Sequence, residues 1–181
     1  MGTVPACRRC SRGEGRCTAS DLPREVASRI AGPPEVVFDL VADLPNYGRW
    51  LPGSSAFHQT VNVTPYPVRL GTTYLETGAI EKPGKVTEFE PPRHIGFEHT
   101  VMIRSPIHVD VEARIRYSFE PSQGGTAVLR ELDLTFELRG LLKLLTPALL
   151  YGFRKENVRT LACLRRRRNT RQKIRTTPGD R

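Results

Sequence analysis

Residues 107–119 alternate without a break. Ile107, Val109, Val111, Ala113, Ile115, Tyr117 and Phe119 fall on one face; His108, Asp110, Glu112, Arg114, Arg116 and Ser118 fall on the other. A period of two sends successive side chains to opposite faces of a strand. The segment therefore predicts a sheet with one face against a core and one in water. Pro121 to Gly125 supplies turn chemistry. Residues 125–138 then return as the partner of a long hairpin, with Val128, Leu132, Leu134, Phe136 and Leu138 on the apolar face. A sheet that is apolar on one side needs a cover. From Gly140 the pattern becomes helical, and Leu142, Leu149, Phe153, Thr160 and Leu164 cluster on one side of a long helix, with Thr146-Pro147 as a cap or kink.

Upstream, Leu22 to Ala31 alternates weakly and predicts a first strand. Pro33-Pro34 then opens a helix, where a missing N–H is harmless. Val36, Val37, Leu40, Val41 and Leu44 recur at helical spacing and predict its apolar face. Pro45 stops that helix, and Trp50-Leu51-Pro52 closes a second short turn. Further strands are predicted over 55–64, 72–80, 85–90 and 94–103, the fourth ended by Pro91-Pro92.

The stretch Pro34-x-x-Val37-Phe38-x-x-Val41-x-Asp43, followed by Trp50-x-Pro52, resembles the opening of the START/Bet v 1-like (SRPBCC) superfamily, in its polyketide cyclase/dehydratase-like branch. Asn157-Val158-x-x-Leu161-x-x-Leu164 resembles the closing helix of the same superfamily. The resemblance covers roughly 24–166. It implies an α+β helix-grip fold, in which a curved seven-stranded antiparallel sheet packs around a long C-terminal helix and two short helices follow the first strand. It also implies a cavity between sheet and helix for a hydrophobic, lipid- or polyketide-like ligand, with no cofactor. The domain organisation expected is a Cys- and Arg-containing disordered tail over 1–21, one ligand-binding domain over 22–166 and a basic disordered tail over 167–181.

Charge is distributed unevenly along the 181 residues. Residues 26–153 are nearly neutral, and 154–181 carry eleven basic and two acidic side chains. The high isoelectric point therefore belongs to the C-terminal segment, and a nucleic-acid-binding domain is not implied. The run Arg165 to Arg168 with Arg171, Lys173 and Arg175 lacks interleaved aromatics, which disfavours stacking on single strands. It admits peripheral contact with an anionic membrane, beside the plainer reading of cations at a helix C-terminus. No stretch of about 18 apolar residues spans a membrane. With no apolar leader, the expected location is cytoplasmic. The excess of Arg over Lys reads as the codon bias of a GC-rich bacterial genome.

Cys7, Cys10 and Cys17 invite a zinc reading, but a structural site needs four ligands and no fourth lies nearby. No metal is expected. There is no Gly-x-Ser-x-Gly elbow, phosphate-binding glycine loop or His-Glu-x-x-His. The informative residues are polar ones in phase with apolar faces. Arg130 shares a face with Val128, Leu132 and Leu134. It either meets a partner or ligand oxygen or reaches water at a strand end. His99 shares a face with Phe97 and Val101, as a cavity base or as a structural histidine bonded to backbone. Tyr117 is expected opposite or diagonal to Arg130. Asn157 falls in the apolar stripe near Phe153, facing the cavity or a backbone group. Tyr74 and Glu76 share a face of undecided direction. Trp50 is a packing residue at the helix junction or part of a pocket mouth. Ligand-binding candidates are thus Tyr117, Arg130, His99, Asn157, Phe153, Tyr74 and Trp50. His99 and Arg130 are also candidates for catalysis, Arg130 stabilising enolate charge while His99 or Tyr117 moves a proton. Three readings remain open: a carrier or cyclase/dehydratase for a hydrophobic small molecule; a non-catalytic protein that delivers quinones or lipids, or associates with membrane or RNA through its basic tail; and a family member with a filled core and no ligand. Oligomeric state is not legible.

Overall fold

The computed structural model describes residues 17–18, 25–104, 109–136, 144 and 146–176. Eight strands and two helices follow in the order β1 (Cys17–Thr18), β2 (Glu25–Ile30), α1 (Pro34–Ala42), a 3-10 turn (Leu44–Arg49), β3 (Gln59–Thr64), β4 (Thr73–Thr77), β5 (Lys82–Glu90), β6 (His94–Ile103), β7 (Val109–Ser122), β8 (Gly125–Phe136) and α2 (Thr146–Thr176). All pairings are antiparallel, and the spatial order is β3-β4-β5-β6-β7-β8-β2. β1 joins the same edge of β8 beyond β2, with Cys17 opposite Phe136. The fold is the expected α+β helix grip, a curved sheet closed by the C-terminal helix. The short β1 is an addition, in which Cys17 and Thr18 pair with β8. Cys7 and Cys10 lie outside the described residues.

Hairpin β7–β8 is the spine. Val109, Val111, Ala113, Tyr117 and Phe119 are buried, and the intervening charges are exposed. On the outer face Arg116 forks onto Glu88 at 2.7 and 2.9 Å, and Arg114 reaches Glu98. Such exposed pairs each contribute roughly 0–1 kcal/mol. The core comes from the inner face.

Element ends differ from the sequence reading at β3, β4 and β5, and β7 runs on through Pro121 to Ser122. β3 starts at Gln59, because Ser54 Oγ accepts from the Ala56 and Phe57 amides and turns residues 54–57 out of the sheet. β4 stops at Thr77, because Gly78 lets the Ala56 backbone approach to where a Cβ would be 2.8 Å from its oxygen. β5 starts at Lys82, paired with Glu76. In α1, Val37, Phe38 and Val41 are buried, whereas Val36 is exposed. The buried face is turned toward Phe38, whose ring meets Phe89 and Phe119 edge-on at 5.5 and 5.6 Å.

α2 runs mainly along β2. Asn157, Thr160, Leu161 and Leu164 are buried on it. Leu142 lies outside the described residues. The helix continues past Arg168 to Thr176, where the sequence reading places a disordered tail. Arg, Lys and Gln are good helix formers, so a polar sequence alone does not end it. Arg168 Nε donates to the Ala31 carbonyl at 3.0 Å. Its guanidinium occupies the space beside Gly32, a position of φ +112° that suits glycine.

Candidate ligand-binding site

Sheet register brings the polar candidates together. Ile95, Tyr117 and Arg130 stand opposite one another across β6, β7 and β8. His99 stands opposite Gly84, and Gly84 opposite Tyr74, across β6, β5 and β4. Phe97 links the two rows: its ring lies edge-on to Tyr74 and to Tyr117, each at 6.1 Å.

Arg130 is 7% exposed and does not reach for water. Its Nε donates to the Tyr117 hydroxyl oxygen at 2.7 Å, and its guanidinium carbon lies 5.3 Å from the Tyr117 ring centroid. Among the described residues it has no carboxylate partner, and its buried Nη1 has no hydrogen-bond partner. A buried cation without a counter-ion is costly. A guanidinium only donates, so the Tyr117 oxygen accepts and its own hydrogen points elsewhere. Burial pushes the Tyr117 hydroxyl up more than Arg130 pulls it down, so the phenol stays protonated at neutral pH.

The second row is a charged chain. The Tyr74 hydroxyl lies 2.9 Å from His99 Nε2, and Glu76 Oε1 lies 3.5 Å from the same nitrogen. Lys82 Nζ holds the other Glu76 oxygen at 2.9 Å and donates to the Ala56 carbonyl at 2.7 Å. Burial alone would raise the Glu76 carboxyl, but His99 and Lys82 overcome it and hold the group at about 2. Tyr74 is pushed well above the ordinary phenol range by burial and by the Glu76 charge. Gly84 makes this row possible. A Cβ there would stand 2.5 Å from Tyr74 Cζ, so only glycine lets the phenol lie across β5 to reach His99.

Around these rows lie Tyr47 and Trp50. Tyr47 donates to the Val41 carbonyl at 2.6 Å and packs against Trp50 at 4.9 Å. Trp50 Nε1, Thr60 Oγ1 and Asn157 Oδ1 are buried without hydrogen-bond partners. Phe97, edge-on to both Tyr74 and Tyr117, joins the two rows into one neighbourhood.

Of the residues singled out from sequence, Tyr74, His99, Tyr117, Arg130, Asn157 and Trp50 are all buried. Among the described residues His99 meets the side chains of Tyr74 and Glu76 rather than backbone. Tyr117 is directly opposite Arg130. Phe153 stands apart, half-buried with Leu150 against Val101, Val109, Val111 and Phe136. Sequence reasoning missed Tyr47, Lys82, Gly84 and Thr60, and left the inward direction of Glu76 open. The one available signal was the spacing of Tyr74 and Glu76, which share a face in any strand. Among the described residues no group of three or more His, Cys, Asp or Glu is arranged to hold a metal ion, and no helix is long and apolar enough to cross a membrane.

A curved antiparallel sheet closed by a C-terminal helix over buried, incompletely partnered polar groups defines a helix-grip fold. The chain belongs to the family described as polyketide cyclase / dehydrase and lipid transport, whose model matches residues 24–167. Comparison with curated proteins gives no match. Among solved structures, the chain resembles the di-domain ARO/CYC BexL from the BE-7585A biosynthetic pathway, with a TM-score of 0.63 and 14% identity over 87% of this chain and 51% of that one. It resembles the di-domain ARO/CYC StfQ from the steffimycin pathway with a TM-score of 0.58 and 12% identity, over 82% and 50% of the two chains. Protein MLL2253 from Mesorhizobium loti gives a TM-score of 0.57 and 14% identity, over 78% and 93%. The chain thus spans about half the length of either di-domain protein, and these likenesses define the fold.

Proposed function

We propose that this protein binds a hydrophobic small molecule, lipid- or polyketide-like and bearing acceptor oxygens, between the inner face of the sheet and α2. The observation that carries this reading is Arg130. Its guanidinium is buried and, among the described residues, bonds only to a neutral phenol and keeps Nη1 unused. A ligand oxygen is the partner that would offset its burial. Trp50 Nε1 adds a second unused donor, and Asn157 Oδ1 an unused acceptor. The family description names both cyclase / dehydrase and lipid-transport members, and the site is compatible with chemistry as well as carriage. In an aldol-type ring closure, Arg130 would stabilise the developing enolate oxygen, and His99 or Tyr117 would move the proton.

The test is native mass spectrometry of protein purified from a bacterial host, followed by denaturing extraction. A stoichiometric apolar adduct, lost in Arg130→Leu while that variant stays folded, is the expected result. Protein that stays empty after incubation with fatty acids, quinones and aromatic polyketides would refute the reading.

A further inference from the structure

The Tyr74 row carries more information than burial alone. Two groups compete for one nitrogen: Tyr74 Oη and Glu76 Oε1 both lie near His99 Nε2. A carboxylate faces that nitrogen, and an ionised oxygen repels a lone pair and attracts an N–H. The hydrogen is therefore assigned to Nε2, shared between Tyr74 and Glu76, whether the ring is neutral or charged. Lys82 anchors the other Glu76 oxygen and keeps the carboxylate in place.

If Nε2 donates, the Tyr74 oxygen accepts, and its own hydroxyl hydrogen must point away from His99. Tyr74 is 4% exposed, and among the described residues His99 is its only hydrogen-bond partner. The same logic applies to Tyr117, whose oxygen is occupied by the Arg130 Nε donor. Tyr47 differs, because its hydroxyl is spent on the Val41 carbonyl. Two phenols flanking Phe97 thus each have a cationic or N–H donor behind the oxygen and an uncommitted O–H in front.

We infer that Tyr74 is a specificity-determining hydrogen-bond donor to a carbonyl or enolate oxygen of the bound molecule, with His99 and Glu76 as positioning residues that turn its hydroxyl hydrogen toward the ligand. This rests on the reading that the Arg130 neighbourhood is the binding site. It adds that the Tyr74 row selects for a second acceptor oxygen, which an unfunctionalised alkyl chain lacks. Neutralising Glu76 removes the reason for the hydrogen on Nε2. Tyr74 then donates to His99 and is withdrawn from the ligand.

The test uses the full chain and a dialkylamino-acylnaphthalene dye (Prodan), whose emission reddens when its carbonyl accepts a hydrogen bond, beside the analogue whose carbonyl is reduced to methylene. Wild-type protein should bind the ketone with red-shifted emission. Tyr74→Phe should shift the emission to the blue and weaken ketone binding about tenfold, the size of one lost hydrogen bond, with the methylene analogue unaffected. Glu76→Gln should reproduce both changes without removing the phenol, and the double variant should be no worse than either single one. Nitrogen NMR of labelled histidine should show a protonated Nε2 in wild type that is lost in Glu76→Gln. Unchanged ketone affinity and colour in Tyr74→Phe, together with their loss in Arg130→Leu, would overturn the role of Tyr74 and leave the site standing. Absence of ketone binding to the wild type would overturn both.

Discussion

Gly84→Ala is the sharpest test of how the Tyr74 row is built. The added Cβ would stand 2.5 Å from Tyr74 Cζ, 2.6 Å from Cε2 and 2.9 Å from the hydroxyl oxygen. Comfortable carbon contacts are about 3.5–4.0 Å, so the ring must retreat by about 1 Å. Overpacking of this kind costs about 1–3 kcal/mol. The Tyr74–His99 bond, 2.9 Å in the parent, is lost with it, at about 1 kcal/mol. Against this, alanine is preferred to glycine inside a strand by about 0.5–1 kcal/mol. The expected net loss is about 1–3.5 kcal/mol, read as a lower midpoint in urea unfolding at unchanged slope. In a Tyr74→Leu background the ring is gone, and Gly84→Ala should become neutral or slightly stabilising. That strong non-additivity is the signature of contact between the two positions. Equal effects of Gly84→Ala in both backgrounds, or no effect in the parent, would show that Tyr74 does not lie across β5, and the geometry argued for the second row would fail.

Two other outcomes follow from the same structure. Glu76 has a folded pKa depressed from 4.5 to about 2, so its contribution is fully present above about pH 4.5 and is lost as pH falls toward 2. It amounts to at most about 3 kcal/mol, and acid titration of stability should show that loss in wild type and not in Glu76→Gln. Val37 is fully buried and Val36 is 41% exposed; Val37→Ala should lose about 1.5–3 kcal/mol and Val36→Ala less than about 0.5, and comparable losses in chemical denaturation would contradict the face assigned to α1.

Strand identity was legible wherever one face is buried and the other wet. β6 starts and ends where its residues predict, because Ile95, Phe97, His99 and Val101 alternate with exposed or half-buried neighbours, Gly96 apart. The same alternation placed His99 and Arg130 inward, since a period of two leaves no other choice. What was not legible depends on contacts distant in sequence. Glu76 points inward because Lys82 and His99 compensate its charge, and neither partner is implied by the β4 pattern. Tyr47 sits in a 3-10 turn, a segment without a long period to interpret. Gly84 reads in sequence as an ordinary turn or strand glycine, and its role exists only once β4 lies beside it. The extent of α2 depends on a contact of the same kind, the bond from Arg168 to the Ala31 carbonyl, 137 residues away in sequence.

Among the described residues the apolar interior is in two pieces. A large one surrounds Phe38, Phe97 and Tyr117; a small one joins Val101, Val109, Val111 and Phe136 to Leu150 and Phe153 of α2. His99 and Ala113 lie on the strands between them. Cooperativity weakens where cohesive packing is interrupted. Among the described residues, Val101, Val109, Val111 and Phe136 pack with half-buried Leu150 and Phe153 of α2 at one end, whereas buried Leu161 and Leu164 and the Arg168 hydrogen bond hold the other. Amide exchange should therefore be graded along α2, fast around Leu150 and slow around Leu164. Such a gradient would make α2 a hinged clasp, fastened through Leu161, Leu164 and Arg168, and uniform exchange along the helix would refute it.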